Sequence, residues 1–229
     1  MIRNIYLDLD NTLLDFKRGE IKAIQSTLTQ MGISPTEKII DRYMEINLES
    51  WRALERGEMS RDEVLFGRFE KLYREIGASA PVVESQSLYQ HLLSLEHDYM
   101  PGAEQLLTDL KVRGFRLYVA TNGIPEVQYP RLSASGVDKF LDGVFISYEL
   151  GYPKPKREFF DECASRIPDY DPRETIIVGD SLTSDIKGGI NAGLITCHYN
   201  VWGDSYEKIK PDYSINHLSE LTALIDSIK

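Results

Sequence analysis

Cysteine is nearly absent from this chain. Only Cys163 and Cys197 occur in 229 residues, far apart and without CxxC spacing. That excludes a disulfide framework and predicts reduced thiols, packed as small core residues, in a cytoplasmic protein. Long apolar runs are also missing: no stretch approaches the roughly 18 residues of a membrane span. No basic segment followed by an apolar one and a small-residue cleavage site opens the chain, so no secretory signal is expected. Positive charge is in deficit, with 26 Lys and Arg against 36 Asp and Glu and a formal net charge of -10. This argues against a nucleic-acid polymer or an anionic membrane as partner. A small anionic substrate remains compatible, because a metal and one or two lysines set the local sign. Internal repeats and low-complexity segments are absent. His91, His97, His198 and His217 stand outside every motif and read as structural or exposed.

Short apolar runs bounded by Gly, Asp or Asn predict buried strands over residues 2–7, 115–120, 143–147, 175–179 and 195–199. From about residue 99 they alternate with helical patterns over 101–114, 126–135, 156–166 and 218–228. This alternation predicts an α/β core, a Rossmann-like parallel sheet covered on both faces. Residues 15–98 show only helical periodicity, over 21–31, 36–56, 61–76 and 82–95. Gly32, Gly57 and Gly77 punctuate these helices, and Ser60 with Glu63 resembles a capping box. The expected layout is a catalytic core of residues 1–14 plus 99–229, interrupted after its first strand by an all-helical cap of residues 15–98.

Open parallel sheets bind ligands at the carboxyl ends of their strands. The first strand ends in Asp8-Leu9-Asp10, the second in Thr121-Asn122-Gly123, and the fourth in Gly179-Asp180-Ser181, followed by Ser184-Asp185. Lys154 lies between prolines after the third strand. Asp8 and Asp10, two apart on a strand, are expected to converge, and two carboxylates in a dry site repel unless a cation joins them. A calcium loop starting at Asp8 would want Gly and Glu where Leu13 and Gly19 stand, which disfavours it. Taken singly, Asn122-Gly123 is a tight turn, Lys154 a surface lysine, and Asp180 and Asp185 helix-start acids. Together they suit phosphoryl transfer, where positioning and charge neutralisation supply most of the catalysis. Gly188, Gly189 and Gly193 are expected to allow close helix–strand packing.

The ordered set DLDNT, TNG, Lys154 in GYPKP, and GDSLTSD resembles the four motifs of the haloacid dehalogenase-like (HAD) phosphohydrolases with a helical C1 cap. That resemblance implies a HAD-like fold and an Mg²⁺-dependent phosphatase. Asp8 would be the nucleophile that forms an aspartyl-phosphate, and Asp10 the acid and then the base. Thr121, Asn122, Gly123 and Lys154 would bind phosphate. Asp8, the backbone carbonyl of Asp10, Asp180 and, directly or at one remove, Asp185 would hold the metal. The cap spacing and the GDSLTSDIKGGINAGLITC stretch resemble the YjjG-type pyrimidine 5′-nucleotidases. This implies a nucleoside monophosphate as the small phosphorylated partner and Phe16, Asn47, Trp51, Arg68 and Phe69 as specificity residues. Monomer and homodimer stand equal. The rival readings are a phosphoglycolate or sugar-phosphate phosphatase, a phosphosugar mutase, and a phosphate-ligand binding protein on a HAD scaffold.

Overall fold

The computed structural model describes residues 1–228. The chain divides into two compact units, Met1–Asp15 with the chain from His97 onward, and Phe16–Glu96.

The first unit is built on a sheet of β1 (Asn4–Leu7), β2 (Arg116–Thr121), β3 (Gly143–Ile146), β4 (Thr175–Gly179), β5 (Ile195–Tyr199) and β6 (Tyr213–Ile215). The strands run β3-β2-β1-β4-β5-β6, all parallel. Alternation sorts the side chains of β1 between two cores. Ile5 and Leu7 join Leu107, Leu110, Val119, Val178 and Leu221 on one face, whereas Tyr6 joins Tyr118, Phe145, Phe159, Phe160 and Ile177 on the other. A sheet covered on both faces needs apolar residues at consecutive strand positions, which is why these strands read as continuous apolar runs. The sixth strand lacks that signature. It is three residues long, pairs with β5, and follows Asp212, whose carboxylate accepts from the Thr196 N–H and hydroxyl at 2.8 Å each.

The second unit consists of α1 (Phe16–Gln30), α2 (Glu37–Glu55), α3 (Arg61–Ile76) and α4 (Val82–Ser94). Helix α3 opens with the reciprocal Ser60–Glu63 capping box and closes on Gly77 in the left-handed conformation. Tyr43, Phe69 and Tyr89 pack ring against ring with centroids 5.4–5.8 Å apart. Among the described residues, no helix is long and apolar enough to cross a membrane.

Back in the first unit, the helices are α5 (Ala103–Val112), α6 (Pro125–Ser135), α7 (Ser147–Leu150), α8 (Arg157–Ser165), α9 (Lys187–Ala192) and α10 (Leu221–Ser227). Gly189 lets α9 close onto the sheet, since a Cβ there would stand 2.5 Å from Ile177 Cγ2 and 2.7 Å from Thr196 Cγ2. Gly193 differs from the packing role expected for it. It ends α9 at φ 73° with nothing near its missing Cβ, so it is needed for backbone conformation.

Candidate active site

The register of the sheet places the chemistry. Leu7 pairs with Val119 on one side and Val178 on the other. The residues just beyond them, Asp8-Asp10, Thr121-Gly123 and Asp180, therefore emerge at one carboxyl edge. There β1 meets neighbours from both arms of the sheet, which is where open α/β sheets bind ligands. Asn11 adopts φ 60°, and its N–H donates to the Leu14 carbonyl at 2.8 Å, turning the chain back directly after Asp10.

Lys154 is the hub. Its fully buried ammonium donates to Asp8 Oδ1 at 2.7 Å, Asp185 Oδ1 at 2.5 Å and the Ala120 carbonyl at 2.6 Å. These three bonds use the three N–H donors of an ammonium. Burial works against its charge, but Asp185 and Asp8 together outweigh burial and hold its pKa above the usual lysine range. Burial pushes the Asp8 carboxyl well up; Lys154 opposes this, while Asp185, Asp180 and Asp10 add to it. Asp180 is likewise pushed up to about 7, by burial and then by Asp185.

Asp185 arrives on a single π-type turn, Leu182–Ile186, a distortion frequent at functional sites. Its Oδ2 accepts the Ser181 N–H at 3.1 Å. Gly179 makes the room, because a Cβ there would lie 2.2 Å from that oxygen. Asp8, Asp180 and Asp185 each offer a carboxylate oxygen within 4.8 Å of the others. Three carboxyl groups this close repel one another when ionised, a cation would relieve that repulsion, and hard oxygens suit Mg²⁺.

Asp10 keeps different company from Asp8. Its Oδ1 accepts from Arg131 Nη1, and its Oδ2 accepts from Gln128 Nε2 at 2.8 Å. Thr121 Oγ1 accepts from Gln128 Nε2 at 2.9 Å and from the Gly123 N–H at 3.1 Å, which leaves the Thr121 hydroxyl proton to donate. The resemblance assigns the Gly123 N–H to phosphate; in the structure that N–H is turned onto Thr121. The Asn122 side chain grips the backbone of Lys154.

Phe69 is fully buried in the aromatic cluster. Arg68 and Asn47 are buried and bound together at 2.7 Å; Arg68 also donates to Gln86 at 2.8 Å, and Asn47 to Glu20 at 2.5 Å. The Arg68 guanidinium sits 4.7 Å from the Tyr89 ring centroid. Trp51 is half-buried with the Arg61 guanidinium 5.9 Å from its ring, and Phe16 is half-buried at the first position of α1.

Four neighbours of the site went unrecognised in the sequence. Gln128 and Arg131 hold Asp10. His198, fully buried, bonds the Asp180 carbonyl through Nε2 at 2.9 Å, and Trp202 Nε1 donates to Asp180 Oδ2 at 3.1 Å. The cysteines have no such part: both are buried, which pushes the Cys197 thiol up to about 12 and makes it a poor nucleophile.

A family model described as haloacid dehalogenase-like hydrolase matches residues 2–193. The chain belongs to the haloacid dehalogenase-like hydrolase family. Within this HAD family it is 38% identical to HAD-hydrolase YfnB of Bacillus subtilis, covering 98% of this chain and 95% of that one. The crystal structure of YfnB bound to magnesium superposes with a TM-score of 0.92 at 37% identity, over 98% of this chain and 99% of that chain. The pyrimidine 5′-nucleotidase PynA of Streptococcus pneumoniae is 33% identical over 97% of this chain and 94% of its own. The pyrimidine 5′-nucleotidase YjjG of Escherichia coli is 28% identical, covering 96% of each. The chain is thus a HAD-family enzyme whose relatives include phosphatases acting on small phosphorylated substrates.

Proposed function

We propose that this protein is an Mg²⁺-dependent nucleoside 5′-monophosphatase, with pyrimidine nucleotides as its preferred substrates. The observation that carries the chemistry is the Lys154 ammonium bonded to both Asp8 and Asp185 beside Asp180. The full-length likeness to PynA supports the substrate class.

Asp8, Asp180 and Asp185, with the backbone carbonyl of Asp10, would hold the Mg²⁺. Bound there, the ion would neutralise phosphate charge and keep the carboxylates ionised. Asp8 Oδ2, the oxygen not bonded to Lys154, attacks phosphorus. The P–O5′ bond breaks as the Asp10 carboxyl gives its proton to the departing oxygen, producing an aspartyl-phosphate and a nucleoside. Asp10, now a carboxylate, takes a proton from water; the resulting hydroxide attacks phosphorus, releasing inorganic phosphate and restoring Asp8. Splitting the displacement in two replaces one difficult step by two easier ones. The Thr121 hydroxyl donates to a phosphoryl oxygen, with the Asn122 N–H beside it. Lys154 neutralises Asp8 and then the acyl-phosphate it becomes. Phe69, Asn47 and Arg68 are engaged in their own helical unit, so this reading assigns them no substrate contact. Phe16 and Trp51 remain as candidates for specificity.

The test is phosphate release with Mg²⁺ from pyrimidine and purine monophosphates, phosphoglycolate and sugar phosphates. Preference for UMP and CMP supports the reading; turnover confined to non-nucleotide esters overturns the substrate assignment. Asp8→Asn is expected to fold and to lose turnover, and substantial residual phosphatase activity would remove Asp8 as nucleophile.

A further inference from the structure

We infer that Gln128 and Arg131 are positioning residues that aim the Asp10 carboxyl at the leaving oxygen of the substrate. The inference rests on the role proposed above for Asp10 and extends it to two side chains outside the four family motifs.

The two residues lie three apart on α6 and so share one face of the helix. Both side chains are buried. An arginine withdrawn from water needs acceptors for its N–H groups, and Asp10 Oδ1 and Gln128 Oε1 supply two. Gln128 takes the other oxygen. Its Nε2 bridges Asp10 Oδ2 and Thr121 Oγ1, and its Oε1 accepts from Arg131 Nη1 at 2.8 Å. Every polar atom of the Gln128 amide is therefore committed, which fixes the orientation of the amide itself.

This two-point hold matters because the terminal torsion of an aspartate is soft and broad. A carboxylate bonded at one oxygen can swing about that bond; one bonded at both presents a defined edge. Proton transfer to a leaving group is sensitive to that alignment. The link to Thr121 adds a second constraint: the same amide touches the hydroxyl assigned to the phosphoryl group, so acid and phosphate holder are set in one frame. Gly123 preserves the frame. Its backbone needs no left-handed conformation, yet a Cβ there would fall 2.1 Å from Gln128 Nε2. The glycine after Asn122 is thus required as space for Gln128, not as a turn.

The leaving group separates positioning from a merely structural role. An alkyl phosphate needs its departing oxygen protonated, whereas 4-nitrophenyl phosphate expels a stabilised phenolate without a proton. In both cases kcat/KM reports steps through departure of the leaving group. The experiment compares kcat/KM for 4-nitrophenyl phosphate with that for an alkyl ester the enzyme turns over, UMP under the reading above, in Gln128→Ala, Arg131→Met, Arg131→Lys and Asp10→Asn. Gln128→Ala and Arg131→Met should lose at least about tenfold more on the alkyl ester than on the aryl ester, with Arg131→Lys recovering part of the difference. Equal losses on both esters in these variants, with Asp10→Asn still discriminating, would overturn the inference and leave the Asp10 assignment intact. Equal losses in Asp10→Asn as well would overturn both. Should Arg131→Met fail to fold, Gln128→Ala decides alone.

Discussion

Asn122 holds Lys154 by its backbone: Nδ2 donates to the Lys154 carbonyl at 2.9 Å and Oδ1 accepts the Lys154 N–H at 2.9 Å. An asparagine at the end of β2 therefore sets the position of a lysine 32 residues further on, and through it the charge balance of Asp8 and Asp185. The side chain of the middle residue of Thr121-Asn122-Gly123 is thus spent on the backbone of Lys154.

Asn122→Ala should leave two partly buried backbone groups of Lys154 without their partner, costing about 1–3 kcal/mol of stability. Turnover should fall with it, because the ammonium is no longer held between its carboxylates. Urea denaturation and steady-state kinetics check the pair of effects; a loss of turnover with unchanged stability would separate Asn122 from Lys154.

Lys154→Met removes the cation from a buried cluster of acids. Breaking a buried ion pair from one side costs about 3–5 kcal/mol when the remaining charge stays ionised. Protonation of Asp8 reduces that penalty, since burial already pushes its carboxyl up. The variant should thus be markedly less stable at alkaline than at acidic pH. Melting curves on both sides of neutrality measure this.

The Asp180 carboxyl, pushed up to about 7 by burial and by Asp185, lies above its unfolded value of about 3.9. Between those two values the folded chain holds a proton that the unfolded chain has released. Its contribution to stability is fully present below about pH 3.9 and is lost as pH rises through about 7. A divalent cation bound to the ionised carboxylate offsets that loss. In EDTA the melting temperature should fall from about pH 5.5 to about pH 8, and the increment produced by Mg²⁺ should grow over the same interval. An increment independent of pH contradicts this account.

Gly189→Ala and Gly193→Ala should destabilise for different reasons. The first drives a methyl group into Ile177 and Thr196 and should cost about 1–3 kcal/mol as overpacking. The second meets nothing within 4 Å but forces a side chain into the left-handed conformation, costing about 1 kcal/mol. Denaturation midpoints rank the two.

Arg68→Ala tests the placement of a candidate specificity residue. Its guanidinium is buried and bonded to Asn47 and Gln86, so truncation should cost about 2–4 kcal/mol through lost packing and unpaired amides. A raised KM for nucleotides with unchanged melting temperature would instead make Arg68 a substrate contact.

Much of the fold was legible because strands buried on both faces must be apolar throughout and helices on a sheet must repeat every three to four residues. β6 escaped because three residues, Tyr213–Ile215, are too few to show a period. Asp8, Thr121 and Asp180 could be singled out because polar groups at the ends of buried strands are costly without a purpose, whereas Lys154 and Asp185 stood out only as parts of the four-motif set. Gln128 and Arg131 left a weaker trace, two polar residues three apart just after Thr121-Asn122-Gly123. Helix α6 follows the strand end that carries Thr121, so a search for polar residues on its buried face would have found them.

By itself the sequence determined the alternation of strands and helices, the helical stretch after the first strand, and the acids, hydroxyl and lysine at the strand ends. Those features are local, set by hydrophobic periodicity and by the cost of burying charge. The family resemblance implied that Lys154 meets Asp8; only the tertiary structure decided that Lys154 also bonds Asp185 and which side chains Asp10 meets. Asp8 went to Lys154, beside Asp180 and Asp185; Asp10 went to Gln128 and Arg131. Two aspartates separated by one leucine look equivalent along the chain. They differ because hydrogen bonds and charge act through space, and the register of the sheet brings different neighbours to each.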